Sequence, residues 1–171
     1  MPPPTRHFSK RSEGIVAHLY RAAVAWHLQP DEDFAKGRYS RRHVWRFDGG
    51  IDVPASASPL VVPKPYAPED AVDPEEAFAA SLSACHMLTF LDLARRARFV
   101  VTRYEDDAEA EMAKNAEGRF WIERVTLRPR IVFADGAQPD AAELERLHHA
   151  AHETCFIANS VLTEVRVEPA A

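Results

Sequence analysis

The chain has 171 residues, 46% of them apolar, 27% charged and 9% aromatic, which suits one globular domain over residues 1–171 and disfavours a disordered or disulfide-stapled chain. Its longest apolar stretch without Asp, Glu, Lys or Arg, Ala77 to Leu91, falls short of the ~20 residues of a membrane span, so a buried helix and no membrane partner are expected. The net charge of −5 divides into nine Lys/Arg against four Asp/Glu over residues 1–46 and twelve against twenty-two afterwards; the basic residues are scattered without interleaved aromatics, which argues against a nucleic-acid partner and suits a dimer in which the two parts meet.

The opening Met-Pro-Pro-Pro-Thr-Arg-His has no apolar core of a secretory signal, so residues 1–14 are expected to form a flexible tail and the protein to be cytoplasmic. Ile15 to Leu28 is rich in residues that suit a strand. Arg38 to Phe47 alternates, with Arg41, His43, Trp45 and Phe47 on one side and Arg42, Val44 and Arg46 on the other. Asp31-Glu32-Asp33 and Gly37 between these segments fit a hairpin connection. Gly49-Gly50 turns the chain into another strand near Ile51 to Ala55, and the Pro/Ser-rich stretch Pro54 to Pro68 reads as a loop.

Asp73-Pro74-Glu75-Glu76 opens a helix, with Asp at the N-cap, Pro at the first helical position and Glu three residues after the cap. The helix is predicted to run to about Arg98. Its middle has little polar face, so it should be wrapped by protein on most sides. Phe99 to Met112 and Phe120 to Phe133 return to strand patterns, joined by the hairpin residues Lys114 to Gly118. Asp140 and Glu143 repeat the capping-box spacing and open a second helix, reaching at least His152 and extending toward Cys155. A last strand follows near Thr163 to Glu168. Strands, a long buried helix, strands, a second helix and a strand make an α+β fold.

Two cysteines in a reducing compartment are poor staples, which favours redox or metal chemistry over architecture, although two ordinary buried cysteines fit as well. Cys85 lies in the apolar helix. Cys155 follows His148 and His152 at i+7 and i+3, on neighbouring parts of one helical face. If the helices pack together, the sulfurs can approach. A peroxide-reducing thiol needs a cation to lower its pKa and a second thiol to trap the sulfenic acid; an apolar setting alone would raise the pKa of Cys85, so folding must supply the cation. Cys85, His86, His148, His152 and Cys155 also offer zinc-type ligands, but no Cys-x-x-Cys pair is present, and no metal is expected. His86 reads first as a satisfied core histidine.

Asp73-Pro74-Glu75-Glu76, the run Ala79-Ala80-Ser81-Leu82-Ser83-Ala84-Cys85 and Ala151-His152-Glu153-Thr154-Cys155 resemble the OsmC/Ohr family, the osmotically inducible and organic hydroperoxide resistance proteins, over about residues 20–168. The resemblance implies an OsmC-like α+β fold in an intertwined homodimer with active sites at the subunit interface. It further implies thiol-dependent reduction of organic hydroperoxides without metal or organic cofactor, with an external dithiol as reductant. By the same resemblance Cys85 is the peroxidatic cysteine, Cys155 the resolving cysteine and Glu75 the carboxylate that holds a catalytic arginine. Ten helical residues span ~15 Å, so Glu75 would act on the partner's site or through an intermediary; read without the family, it is a favourable charge at a helix N-terminus.

The arginine departs from the family pattern. No Arg occurs between Phe47 and Ala94, and Lys64 is the one cation in that interval. Arg41, Arg42 and Arg46 remain, of which Arg41 is chosen because it shares its expected face with His43 and Trp45. His86 after Cys85 and Phe156 after Cys155 also depart from the usual members and place the chain in a divergent branch. The alternative function is a non-enzymatic dimeric module that binds an apolar ligand or a metal, with the cysteines merely lining its cavity.

Overall fold

A computed structural model describes residues 18–136 and 138–169. The expected tail and the first residues of the expected opening strand lie outside them. In chain order come β1 (Ala22–Ala25), β2 (His43–Phe47), β3 (Asp52–Ala55), α1 (Pro74–Arg96), β4 (Val101–Asp106), β5 (Glu109–Lys114), β6 (Phe120–Leu127), β7 (Pro129–Phe133), α2 (Ala141–Thr154) and β8 (Glu164–Val167). The fold is α+β, as expected.

The strands form three small sheets: β1-β2-β3, β4-β7 and β5-β6-β8. All pairings are antiparallel except β6 with β8, which run parallel. That exception follows from the connection, because α2 intervenes between β7 and β8 and returns the chain in the direction of β6. Each of the two long strand patterns is broken in two. β4 ends where the Asp106 carboxylate accepts the backbone N–H of Arg128 at 2.6 Å, pinning the break after β4 to the break after β6. The strand expected from Arg38 begins only at His43. Before it, Asp33 and Arg38 bridge across a short 3-10 turn at Phe34–Lys36, closed by Gly37 at φ 71°, a left-handed conformation that glycine adopts without steric cost.

The capping box of α1 is complete: Asp73 accepts the Glu76 N–H at 2.8 Å and the Glu76 carboxylate accepts the Asp73 N–H at 3.1 Å. Its far end stops at Arg96, two residues short of the expected end. The N–H of Phe99 reaches the carbonyl of Ala94 and that of Arg98 the carbonyl of Arg95, a Schellman closure with Arg98 at φ 67° in the place glycine usually takes. The second helix carries half a box, since Asp140 caps Glu143 N–H at 2.8 Å while the Glu143 carboxylate pairs with Arg146.

Within one chain, α1 is covered along one stripe of its surface. Ala79, Leu82, His86, Phe90 and Ala94 are buried, one stripe at helical spacing; Leu88, on the other face, is 63% exposed. By length and composition α1 could cross a membrane, yet its buried stripe packs as a core helix. The stripe serves two core clusters. Its first half packs Ala79 and Leu82 on Val125 and Leu127 of β6, and its second half packs Phe90 and Ala94 on Leu147 and Ala151 of α2. His86 sits where the clusters meet. None of the β1-β2-β3 residues joins either cluster, and that region leaves Tyr20, Val24, Ile51, Leu60 and Val61 exposed.

Candidate functional site

The packing of α1 on α2 brings the two cysteines together. Both are reduced; Cys85 is half-buried and Cys155 buried. Cys155 is the C-cap of α2, with extended backbone that turns its side chain back toward α1. Its Sγ accepts the N–H of Ala158 at 3.5 Å. Burial, followed by the neighbouring Cys85 side chain, pushes Cys155 up to about 11. In this pair Cys155 is therefore a protonated thiol at neutral pH. The carbonyl of Cys85 accepts the Thr89 hydroxyl at 2.8 Å.

Directly beneath lies a feature that residue-by-residue reading did not foresee. His86 Nε2 and His148 Nδ1 are 3.1 Å apart, with ring planes within 5° of parallel. His86 and His148 are 1% and 4% exposed, and Phe90 packs on the His148 ring at 4.6 Å between centroids. Burial lowers both to about 4, His148's charge adding to the effect on His86. Both rings are neutral at neutral pH. The sequence places one histidine beside Cys85 and another two helical turns before Cys155, and the packing of α1 on α2 decides that they meet. Among the described residues, no group of three or more His, Cys, Asp or Glu side chains could hold a metal ion.

Glu75 sits in the first turn of α1, half-buried, and its Oε2 is buried without a hydrogen-bond partner. A buried carboxylate oxygen left unsatisfied is costly and calls for a cation. Among the cations considered, Arg42 pairs with Asp70, Arg46 with Asp52 at 3.4 Å and Lys64 with Glu69 at 2.6 Å. Among the described residues Arg41 forms no ion pair. Its guanidinium lies 3.8 Å from the Tyr39 ring centroid and donates to the carbonyls of Gly37 and Tyr39. His43 Nδ1 meets the Arg41 carbonyl at 2.7 Å, and Trp45 Nε1–H donates to His43 Nε2 at 2.9 Å, so a hydrogen-bonded line joins the Arg41 backbone to His43 and Trp45, while the Arg41 side chain turns back onto Gly37 and Tyr39. This line belongs to the region outside both core clusters, whereas the thiols sit between them.

A cavity of about 560 Å³ flanks α1 among Ser83, Met87, Tyr104 and Asp106, but Cys85 does not line it. Ser83 donates there to Asp106.

Comparison with known proteins follows the same lines. The family described as OsmC-like protein matches residues 67–170, a span that contains both helices and both cysteines. An OsmC-like protein of unknown function from Vibrio cholerae is 48% identical, with a TM-score of 0.88, over 90% of this chain and 100% of its own. The organic hydroperoxide resistance protein of Elizabethkingia anophelis is 20% identical with a TM-score of 0.64, over 90% of this chain and 95% of its own. Bacillus subtilis OhrB, also an organic hydroperoxide resistance protein, is 19% identical with a TM-score of 0.62, over 90% and 98%; these two likenesses concern the fold. No curated protein matches the chain. With the matched span covering the capped helix, the paired thiols and the second helix, the chain belongs to the OsmC family, whose structural neighbours include organic hydroperoxide resistance proteins.

Proposed function

We propose that the protein is a cysteine-based peroxidase that reduces organic hydroperoxides, and the observation that carries this reading is the pair of reduced cysteines, Cys85 on α1 and Cys155 at the end of α2, that the packing of the two helices brings near one another. The Cys85 thiolate attacks the distal oxygen of ROOH; the O–O bond breaks, Cys85 becomes the sulfenic acid and the alkoxide leaves to be protonated as ROH. Cys155 then attacks that sulfur, forming the disulfide and releasing water. An external dithiol returns both thiols by exchange. Half-burial of Cys85 among apolar side chains favours an apolar hydroperoxide over hydrogen peroxide.

The catalytic unit we propose is a homodimer. Among the described residues of one chain, Glu75 Oε2 is buried without a partner and the Arg41 guanidinium forms no ion pair. Pairing them across a subunit interface satisfies the carboxylate and delivers the cation that a thiolate at Cys85 requires. The apolar side chains left exposed on the β1-β2-β3 region and on the outer face of α1 at Leu88 are the kind of surface such an interface covers. We place the reaction in the cytoplasm, where dithiol reductants are available.

The test is one equivalent of cumene hydroperoxide added to fully reduced protein, read as peroxide loss and intact mass. The expected result is stoichiometric peroxide loss, loss of two hydrogens and a Cys85–Cys155 bond in the peptide map. Cys85→Ser removes the reaction, whereas Cys155→Ser permits one turnover and then over-oxidation of Cys85. Unchanged thiols in the wild type, or full turnover by Cys85→Ser, would overturn the proposal and favour the ligand-binding alternative.

A further inference from the structure

Arg41 forms no ion pair among the described residues, yet its guanidinium is firmly seated. Its Cζ lies 3.8 Å from the centroid of the Tyr39 ring and 5.8 Å from that of the Tyr66 ring. Nη1 donates to the Gly37 carbonyl at 3.1 Å and to the Tyr39 carbonyl. The Arg41 backbone N–H donates to the Tyr66 carbonyl at 2.7 Å, so main chain and side chain are both fixed.

Tyr39 is itself built in. Its ring packs on Phe34 at 4.6 Å and on Trp26 at 5.5 Å between centroids. Trp26 Nε1–H donates to the Ser40 carbonyl at 2.8 Å, which ties the chain directly after Tyr39, and Gly37 closes the 3-10 turn that separates Phe34 from Tyr39. These three aromatic side chains join neither core cluster; what their packing supports is the ring on which Arg41 lies.

Donor counting shows what this seat leaves over. A guanidinium carries two N–H hydrogens on each Nη and one on Nε. The two carbonyls take those of Nη1. Among the described residues Nε and Nη2 have no hydrogen-bond partner, so the hydrogens that remain lie along one edge of the guanidinium plane.

We propose that Tyr39 is a positioning residue of the Cys85 site: its ring face and carbonyl, with the Gly37 carbonyl, hold Arg41 so that the Nε–Nη2 edge is presented to the Glu75 and Cys85 side chains of a second copy. The inference rests on the reading of Arg41 as the cation that activates Cys85. Stacking leaves the guanidinium its full charge, and the ordering of a long, flexible side chain is complete before the subunits meet.

The test is the pH profile of iodoacetamide alkylation at Cys85, read by peptide mapping of the reduced full chain, together with the rate of cumene hydroperoxide consumption at pH 7. Tyr39→Leu removes the ring face; the alkylation profile should move to higher pH and peroxide consumption should slow about fivefold, the worth of one partly buried cation–π contact. Tyr39→Phe restores the ring face and should restore both readouts. Arg41→Ala should show the larger defect, and Tyr39→Leu added to it should have no further effect, because it acts through Arg41. A loosened fold alone would not produce that pattern. Proton spectra of the wild type need no variant to fold: the Arg41 side chain should be shifted upfield by the Tyr39 ring. A wild-type profile in Tyr39→Leu, an equal defect in Tyr39→Phe, additive defects in the double variant, or an unshifted Arg41 would each overturn the assignment. Alkylation uses no peroxide, so thiols that ignore cumene hydroperoxide while Tyr39→Leu still moves the alkylation profile would uphold this assignment and refute the peroxidase reading alone.

Discussion

If Cys155 resolves the sulfenic acid, the rate of that step should be governed by the scarcity of its thiolate. Burial is the first cause of its raised value of about 11, and the neighbouring Cys85 side chain is the second. At pH 7 only about one Cys155 in ten thousand is then ionised, about a hundredfold fewer than for a thiol titrating at 9. Since the thiolate is the attacking species and burial alone keeps the thiol above its ordinary value, disulfide formation should quicken about tenfold per pH unit from pH 7 toward 9. Oxidation of Cys85 changes that neighbour but leaves the burial, so the slope should persist in the reacting state. Stopped-flow tryptophan fluorescence after one equivalent of cumene hydroperoxide, with acid-quenched mass spectrometry to identify the sulfenic acid and the disulfide, separates the two steps. A resolution rate that levels off by pH 8 would refute the reasoning, because it would require Cys155 to be ionised despite its burial.

The buried histidine pair gives a pH dependence of opposite origin. The unfolded chain takes up protons below about 6.5, while the fold holds the rings neutral down to about 4; stability should be indifferent to this pair above pH 6.5 and fall as the pH drops toward 4, by about 3 kcal/mol for each histidine. Urea unfolding at pH 7 and pH 4 should show that loss in the wild type and not in the double variant His86→Leu/His148→Phe. At the end of α1, Arg98→Gly should stabilise the fold by about 1 kcal/mol in the same assay, because φ 67° is strained for arginine and free for glycine; a loss of stability would mean that the Arg98 side chain makes a contribution larger than the strain.

The local signals in the sequence carried far into the structure. Asp73, Pro74 and Glu76 determine where α1 starts because a cap needs only its next three residues, and Asp140 does the same for α2. Cys155 as the terminus of α2 was legible for the same reason. What escaped was what depends on distant partners. The long strand patterns break where Asp106 reaches Arg128, a contact made across 22 positions. The apolar run of α1 suggested a helix wrapped on most sides, because composition reports how much apolar surface exists and not which part of it one chain covers. His86 was read as a core residue, but its pairing with His148 across 62 positions is a property of helix packing. The thiol pair was foreseen only conditionally, and the condition, α1 packed on α2, is what the fold supplies through Phe90, Ala94, Leu147 and Ala151.

That packing also sets the energetics of the proposed cycle. A Cys85–Cys155 disulfide closes a loop of about 70 residues, and restricting the unfolded chain by such a loop stabilises the fold by about 4 kcal/mol in the chain-entropy account. Because the packing of α1 on α2 already brings the two reduced thiols near one another, little rearrangement of the two helices is needed to form the bond, so most of this gain should be realised. The oxidised protein should therefore unfold at a clearly higher urea concentration than the reduced protein, with the difference absent in Cys155→Ser treated identically. Equal midpoints would mean that forming the bond disrupts the junction of the two core clusters, where His86 and His148 lie, by as much as it restrains the unfolded chain. In the expected case the external dithiol must reduce a bond that the fold itself favours, which makes reduction, more than peroxide attack, the step at which the choice of reductant matters.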